Sequence, residues 1–349
     1  MTNNTRELSR RTFIKGLALS GGALAVAGGA GGLMAQIAPD WKNHIGLELF
    51  TVRDLLRRDY EGTLAKVARI GYTEVEPADP YNRLEPKAYK ALLDKLGLKM
   101  FSTHSGASAG PDLERQLEGF QLMGIKYTEV RGRGGRGGRR GGGPGGPGGP
   151  AGAGGGPGGP GGPGGGPRRS GGGPSGPRTP QTVESVKASC AEMNQHGAIV
   201  KKFGMKILIH NHAGEFELLA GGKTTQYDVL LAETDPELVA MQLDIGWAYI
   251  AGQDALAMFK KNPGRYELWH VKDVKYKDLD PKLTPSQRQR VGKIVTLGEG
   301  DIDYKAIFAN AGVAGLKHFA IEQDTAGEGG RDAIEDCRIA YERLSKILA

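Results

Sequence analysis

Lys206-Ile207-Leu208-Ile209-His210-Asn211-His212-Ala213-Gly214-Glu215-Phe216-Glu217 is a short β-branched and apolar run that breaks off into histidines, an asparagine and acids. The run reads as a strand, and the segment before it, Val183–Phe203, has the i, i+3/i+4 apolar spacing of a helix. A polar cluster therefore sits at the C-terminal end of a strand that follows a helix. The same unit recurs along the chain. Candidate strands are Gly46–Val52, Thr73–Glu76, Met100–His104, Tyr127–Val130, Lys206–His212, Ala240–Ile245, Leu268–Val271 and Phe319–Ile321, with helical patterns at Tyr89–Leu98, Leu113–Met123 and Ala333–Leu348 as well. Alternating β and α units give a parallel sheet with its helices outside. Eight of them predict an α/β fold of the closed (β/α)₈ barrel type rather than an open sheet. No Gly-x-Gly-x-x-Gly turn follows the first strand, which argues against dinucleotide binding.

Two stretches stand outside this pattern. Ser9-Arg10-Arg11-Thr12-Phe13-Ile14-Lys15 precedes a weakly apolar, Gly/Ala-rich run from Gly16 to about Ala38. It looks like a twin-arginine signal peptide over residues 1–38, which predicts export to the periplasm or beyond. So much glycine makes a poor spanning helix, and no stable membrane span is expected once the signal is removed; the alternative reading is a signal retained uncleaved as an anchor. The other stretch, 131–180, is a Gly/Pro/Arg tract without collagen register, which reads as a disordered insertion after the fourth strand. It contains eight arginines and no acid, so taking those charges from the chain's net +7 leaves −1 for the rest. The basic balance therefore belongs to the tract. It lacks the aromatics that stack on bases, and no nucleic-acid partner is expected. Subtracting both stretches leaves roughly 265 residues, 39–349 less the insertion, close to one barrel. Cys190 and Cys337 lie in amphipathic helices and read as buried thiols, although one bridge is compatible with the pattern.

Chemistry in such a barrel gathers where strands end. Those ends carry Glu48; Glu74 and Glu76; His104; Glu129; His210 and His212; Asp244 and Trp247; His270, Lys272 and Asp273; and Glu322 with Asp324. Histidines and carboxylates from four consecutive strand ends suit a divalent ion with mixed nitrogen and oxygen ligands. Glu129 is assigned no role. Arg53 and Asp54 read as a surface ion pair, and His318 falls at the bottom of the barrel, where a stabilising role is expected.

The phrases Gly46-Leu47-Glu48-Leu49-Phe50-Thr51-Val52-Arg53-Asp54, His210-Asn211-His212, Leu243-Asp244-Ile245-Gly246-Trp247, His270-Val271-Lys272-Asp273, Gly298-Glu299-Gly300-Asp301-Ile302-Asp303 and Ile321-Glu322-Gln323-Asp324 together resemble the xylose isomerase-like sugar phosphate isomerase/epimerase family. The resemblance covers about Ile45 to Leu348 apart from the insertion. It implies one divalent metal ion (Mn, Co, Mg or Zn) held by Glu, Asp, His and Glu from the fifth to eighth strands. Asp244, His270 and Glu322 match three of these. The first position departs from the family, offering His210 and His212, two residues apart on one strand face, with Glu215 in the following loop. Either Glu215 reaches back as the ligand, which is the preferred expectation, or one histidine is a ligand and the other a base.

Relatives of this kind isomerise, epimerise or eliminate beside a carbonyl. The metal polarises the substrate's oxygens, a side-chain base removes the adjacent proton, and a metal-stabilised enediolate follows. His210, His212 or Glu322 would be the base; Lys272 and Asp273 would orient the substrate; Glu48, Glu76 and His104 would line the sugar pocket. Trp247 would stack on the sugar or merely pack. His104 serves equally well as a hydrogen-bond partner for a neighbouring strand. Because phosphorylated sugars are scarce outside the cytoplasm, the expected substrate is a free keto-sugar, a 3-keto-glycoside made by a partner sugar oxidoreductase, or a cyclic polyol derivative. Two other classes fit the same phrases: a non-catalytic exported carbohydrate-binding barrel, and a metal phosphodiesterase of the endonuclease IV type, which normally needs more histidines than the seven present here.

Overall fold

The computed structural model describes residues 40–78, 81–132 and 181–349; the signal-peptide reading and all but the first two residues of the Gly/Pro/Arg tract lie outside them. Nine parallel strands form one sheet: β1 (Gly46–Glu48), β2 (Glu74–Glu76), β3 (Lys99–Met100), β4 (Ser102–Ser108), β5 (Tyr127–Arg131), β6 (Lys206–His210), β7 (Val239–Asp244), β8 (Leu268–Val271) and, after the antiparallel pair β9 (Asp273–Lys275) and β10 (Lys293–Val295), β11 (His318–Ile321). The strand order is β3-β2-β1-β11-β8-β7-β6-β5-β4. Its two outermost members, β3 and β4, are consecutive in sequence and separated only by Phe101. They are one barrel strand broken at that residue, and the His104 amide donates to Pro77 O at 3.0 Å across the seam. The sheet is therefore an eight-strand (β/α)₈ barrel, as the periodicity predicts.

Several predicted strands are too long, for one local reason each. The first stops at Glu48, because its carboxylate accepts from the Phe50 amide at 2.7 Å and starts a 3-10 turn over Leu49–Val52. The fifth stops at His210 rather than His212, and the sixth at Asp244, where the side chain caps the helix Ile245–Ile250. Arg53 does not pair with Asp54. It donates to Phe50 O and Asp324 O, while Asp54 pairs with Arg57.

Side chains two apart on a strand share a face, so the barrel interior is layered. At the bottom Phe101, Tyr127, Leu208, Ala240, Leu268 and Ala320 form a closed apolar plug. Two residues further along four of those strands come His210, Gln242, His270 and Glu322, and two further again His212, Asp244, Lys272 and Asp324. The polar site is thus the plug continued upward. The larger apolar cluster fills the space between sheet and helices. Below the plug, His318 stacks on Phe101 at 4.7 Å and contacts Glu74 at 3.1 Å. Cys190 and Cys337 are free and buried. Among the described residues no helix is long and apolar enough to cross a membrane.

Candidate metal centre

His210, Asp244, His270 and Glu322 each offer one donor atom, and the four atoms all lie within 4.8 Å of one another. They come from β6, β7, β8 and β11, neighbours in the barrel. Asn211 fixes the spacing of the first two, since its Oδ1 accepts from the Asp244 amide at 3.0 Å and its Nδ2 donates to Asp244 O at 3.3 Å. His270 Nδ1 is 2.7 Å from Glu322 Oε2, yet both atoms are buried and neither makes a hydrogen bond. The two atoms stand with donor atoms of His210 and Asp244 around one position that a cation could share. Buried polar atoms left without partners are costly, and a cation at that position relieves the cost. Two imidazoles with two carboxylates suit zinc, cobalt or manganese better than magnesium, which prefers oxygen ligands throughout.

Glu215, the expected fourth ligand, is not brought into this group. Its Oε2 accepts from the His212 amide at 2.8 Å and holds the loop after β6 in place. His210, the last residue of the fifth barrel strand, is the member of the group from that strand. The His212 ring lies 5.0 Å from His210 and 5.8 Å from Trp247 and makes no hydrogen bond with any described residue. Burial, then the neighbouring His210, lowers its pKa to about 3.

Lys272 is 1% exposed, with Nζ 2.9 Å from Asp244 Oδ2, 3.1 Å from Glu322 Oε2 and 2.7 Å from Asp324 Oδ2. Burial opposes its charge, but Asp244, Asp324 and Glu322 outweigh it and hold the ammonium well above its ordinary pKa. The stem is packed against Gly246, where a Cβ would stand 2.6 Å from Lys272 O. Tyr304 Oη also donates to that carbonyl, at 2.8 Å. Trp247 lies under the ammonium, 4.8 Å from ring centroid to Nζ, and its own buried Nε1 has no partner.

Asp273, expected to touch substrate, is occupied elsewhere. Its Oδ2 accepts from the amides of Gly298 and Gly300 at 2.7 and 3.0 Å, and a Cβ at Gly300 would collide with its carboxylate. This accounts for the Gly298-Glu299-Gly300 phrase as a structural turn. Glu48, Glu76 and His104 do line the barrel interior. Burial, then the charge of Glu322, pushes the Glu48 carboxyl well above its usual range, and its Oε1 is unpartnered. Glu76 forms a second cluster with His104 and His270. Sequence reasoning missed Gln242, Ser102 and the role of Asp324. The signal was available for two of them: Gln242 is two residues before Asp244, and Asp324 two after Glu322.

A family model described as the xylose isomerase-like TIM barrel matches residues 165–339. Inosose dehydratase of Clostridium perfringens (strain 13 / Type A) is 34% identical over 129 residues, which is 36% of this chain and 42% of that protein. The chain thus spans less than half the length of this curated relative. Among solved structures, a sugar phosphate isomerase/epimerase from Parabacteroides distasonis ATCC 8503 superposes with a TM-score of 0.57 at 20% identity, covering 87% of this chain and 94% of that one. The IOLI protein with a bound zinc atom gives 0.55 at 13% identity, covering 87% and 98%. At these identities the likeness to solved structures is one of fold.

Proposed function

The chain belongs to the xylose isomerase-like TIM barrel family, and from that premise we propose that it is a divalent-metal-dependent enzyme that removes the proton beside the carbonyl of a non-phosphorylated keto-sugar or keto-cyclitol. The observation that carries this is the convergence of His210, Asp244, His270 and Glu322 within 4.8 Å, with the buried His270 Nδ1 and Glu322 Oε2 lacking a hydrogen-bond partner among the described residues. A divalent ion held there would polarise the substrate's carbonyl oxygen as a Lewis acid. The His212 ring, outside the four-donor group and without a hydrogen bond to any described residue, takes the proton. Lys272 is spent on three carboxylates, which leaves it to neutralise the ligand set rather than to bind a phosphate, and this supports an uncharged substrate.

Among the reactions open to such a site, elimination of water is the favoured one. The relative from Clostridium perfringens is named for dehydrating an inosose, and a base such as His212 can return its proton to the departing hydroxyl, so that water leaves with no other reactant consumed. Returning the proton to carbon instead gives isomerisation or epimerisation. A substrate deuterated at the carbon beside the carbonyl is expected to lose that label to solvent, with a product lighter by one water if elimination holds. Retention of the label by every inosose and keto-sugar tried would refute proton abstraction.

Export by the twin-arginine route is part of the same proposal and rests on Ser9-Arg10-Arg11-Thr12-Phe13. Replacing Arg10 and Arg11 with Lys is expected to leave the protein in the cytoplasmic fraction; unchanged export would exclude this route.

A further inference from the structure

Glu76 is 0% exposed at the end of β2, and its carboxylate stands between two of the site's imidazoles. Its Oε2 accepts from Ser102 Oγ and from Gln242 Nε2, both at 2.7 Å, and lies 3.5 Å from His270 Nε2. Its Oε1 is 2.7 Å from His104 Nε2. Hydrogen-bond accounting assigns the protons of Gln242 and His104. The Gln242 amide must turn its NH₂ toward Glu76, which only accepts when ionised, so its oxygen faces His104, 2.8 Å from Nε2. His104 Nε2 meets two acceptors, the Gln242 oxygen and the Glu76 carboxylate, and must carry hydrogen. On His270, Nε2 lies 3.5 Å from the Glu76 carboxylate, while Nδ1 lies 2.7 Å from Glu322 and 3.8 Å from Asp244. Glu322 is the nearer acid, so the choice follows from the ion: with a metal taking the Nδ1 lone pair, the ring proton must be on Nε2, beside the Glu76 carboxylate.

We propose that Glu76 is a positioning residue, which sets the proton on Nε2 of both His104 and His270 and so presents His270 Nδ1 to the metal. The inference rests on the metal reading above. It differs from the expectation that Glu76 binds sugar, because a fully buried carboxylate engaged by Ser102 and Gln242 is out of a substrate's reach. Carboxylates that orient a ligating histidine in this way typically change metal affinity about 10- to 100-fold when removed.

The test uses the chain carrying Glu76→Gln, with Ser102→Ala as a milder change that removes one hydrogen bond to the carboxylate. Cobalt(II) is titrated into metal-free protein, read by its visible absorption and by metal content, and thermal melting is measured alongside. Glu76→Gln is expected to weaken cobalt binding about 10- to 100-fold and to shift the absorption bands; Ser102→Ala is expected to weaken it less, with near-normal melting. Glu76→Asp, which keeps the charge, is expected to recover part of the affinity. A wild-type chain that binds no ion removes the metal reading itself. Stoichiometric binding in the wild type with unchanged affinity and spectrum in both Glu76→Gln and Ser102→Ala overturns only the positioning role. Two ions in the wild type, one of them lost in Glu76→Gln, overturns it differently, by making Glu76 a ligand with His104.

Discussion

Asp244→Ala is expected to abolish stoichiometric metal binding and, with it, turnover. Asp244 is fully buried, its Oδ2 contacts Lys272 Nζ and His210 Nε2, and its Oδ1 caps the following helix at the Trp247 amide. The substitution removes one of four donors and leaves Lys272 with fewer acids to balance it in a water-poor site. An ion present at a thousand times its dissociation constant stabilises the native state by about 4 kcal/mol. At about 2–4 °C per kcal/mol for a domain of this size, metal should raise the wild-type melting temperature by about 8–16 °C and leave that of the variant almost unmoved. The cap contributes about 1 kcal/mol of its own, so Asp244→Asn, which retains a capping oxygen, separates the two effects. A metal-dependent rise in Asp244→Ala equal to that of the wild type would remove Asp244 from the ligand set.

The second large effect distinguishes the two candidates from the fifth strand. His210→Ala is expected to lose the ion, whereas Glu215→Ala is expected to keep one ion per chain and lose only the bond to the His212 amide, worth about 1 kcal/mol. If His212 is the base, Glu215→Ala lowers kcat moderately by loosening the loop that carries it, with little change in metal affinity. Metal analysis of the two variants side by side decides the matter. An ion retained in His210→Ala and lost in Glu215→Ala would return the ligand role to the acid.

Most of this was legible without coordinates. The alternation of short apolar runs with helical spacing determined the barrel, because a parallel strand must be followed by a crossover and the hydrophobic pattern records each one. Period-2 alternation at strand ends also brought Asp244, His270 and Glu322 to one mouth, since those positions follow Ala240, Leu268 and Ala320 of the apolar plug by two or four residues.

What only the tertiary structure decided is where each strand stops and which partners cross the barrel. His210 and His212 are equivalent by spacing; they differ because β6 ends at the first of them, clamped by Asn211 to the backbone of Asp244. Asp273 has the residue type of a substrate contact, but the amides of Gly298 and Gly300, some 25 residues away in sequence, claim its carboxylate. Glu76, Gln242 and His104 come from strands far apart in the chain, and their network exists because barrel closure brings β2, β4 and β7 side chains to one level. Periodicity is a local property of the chain and fixes the face on which a residue lies. Hydrogen-bond pairing across a closed barrel depends on register and strand termination, which a sequence pattern does not encode.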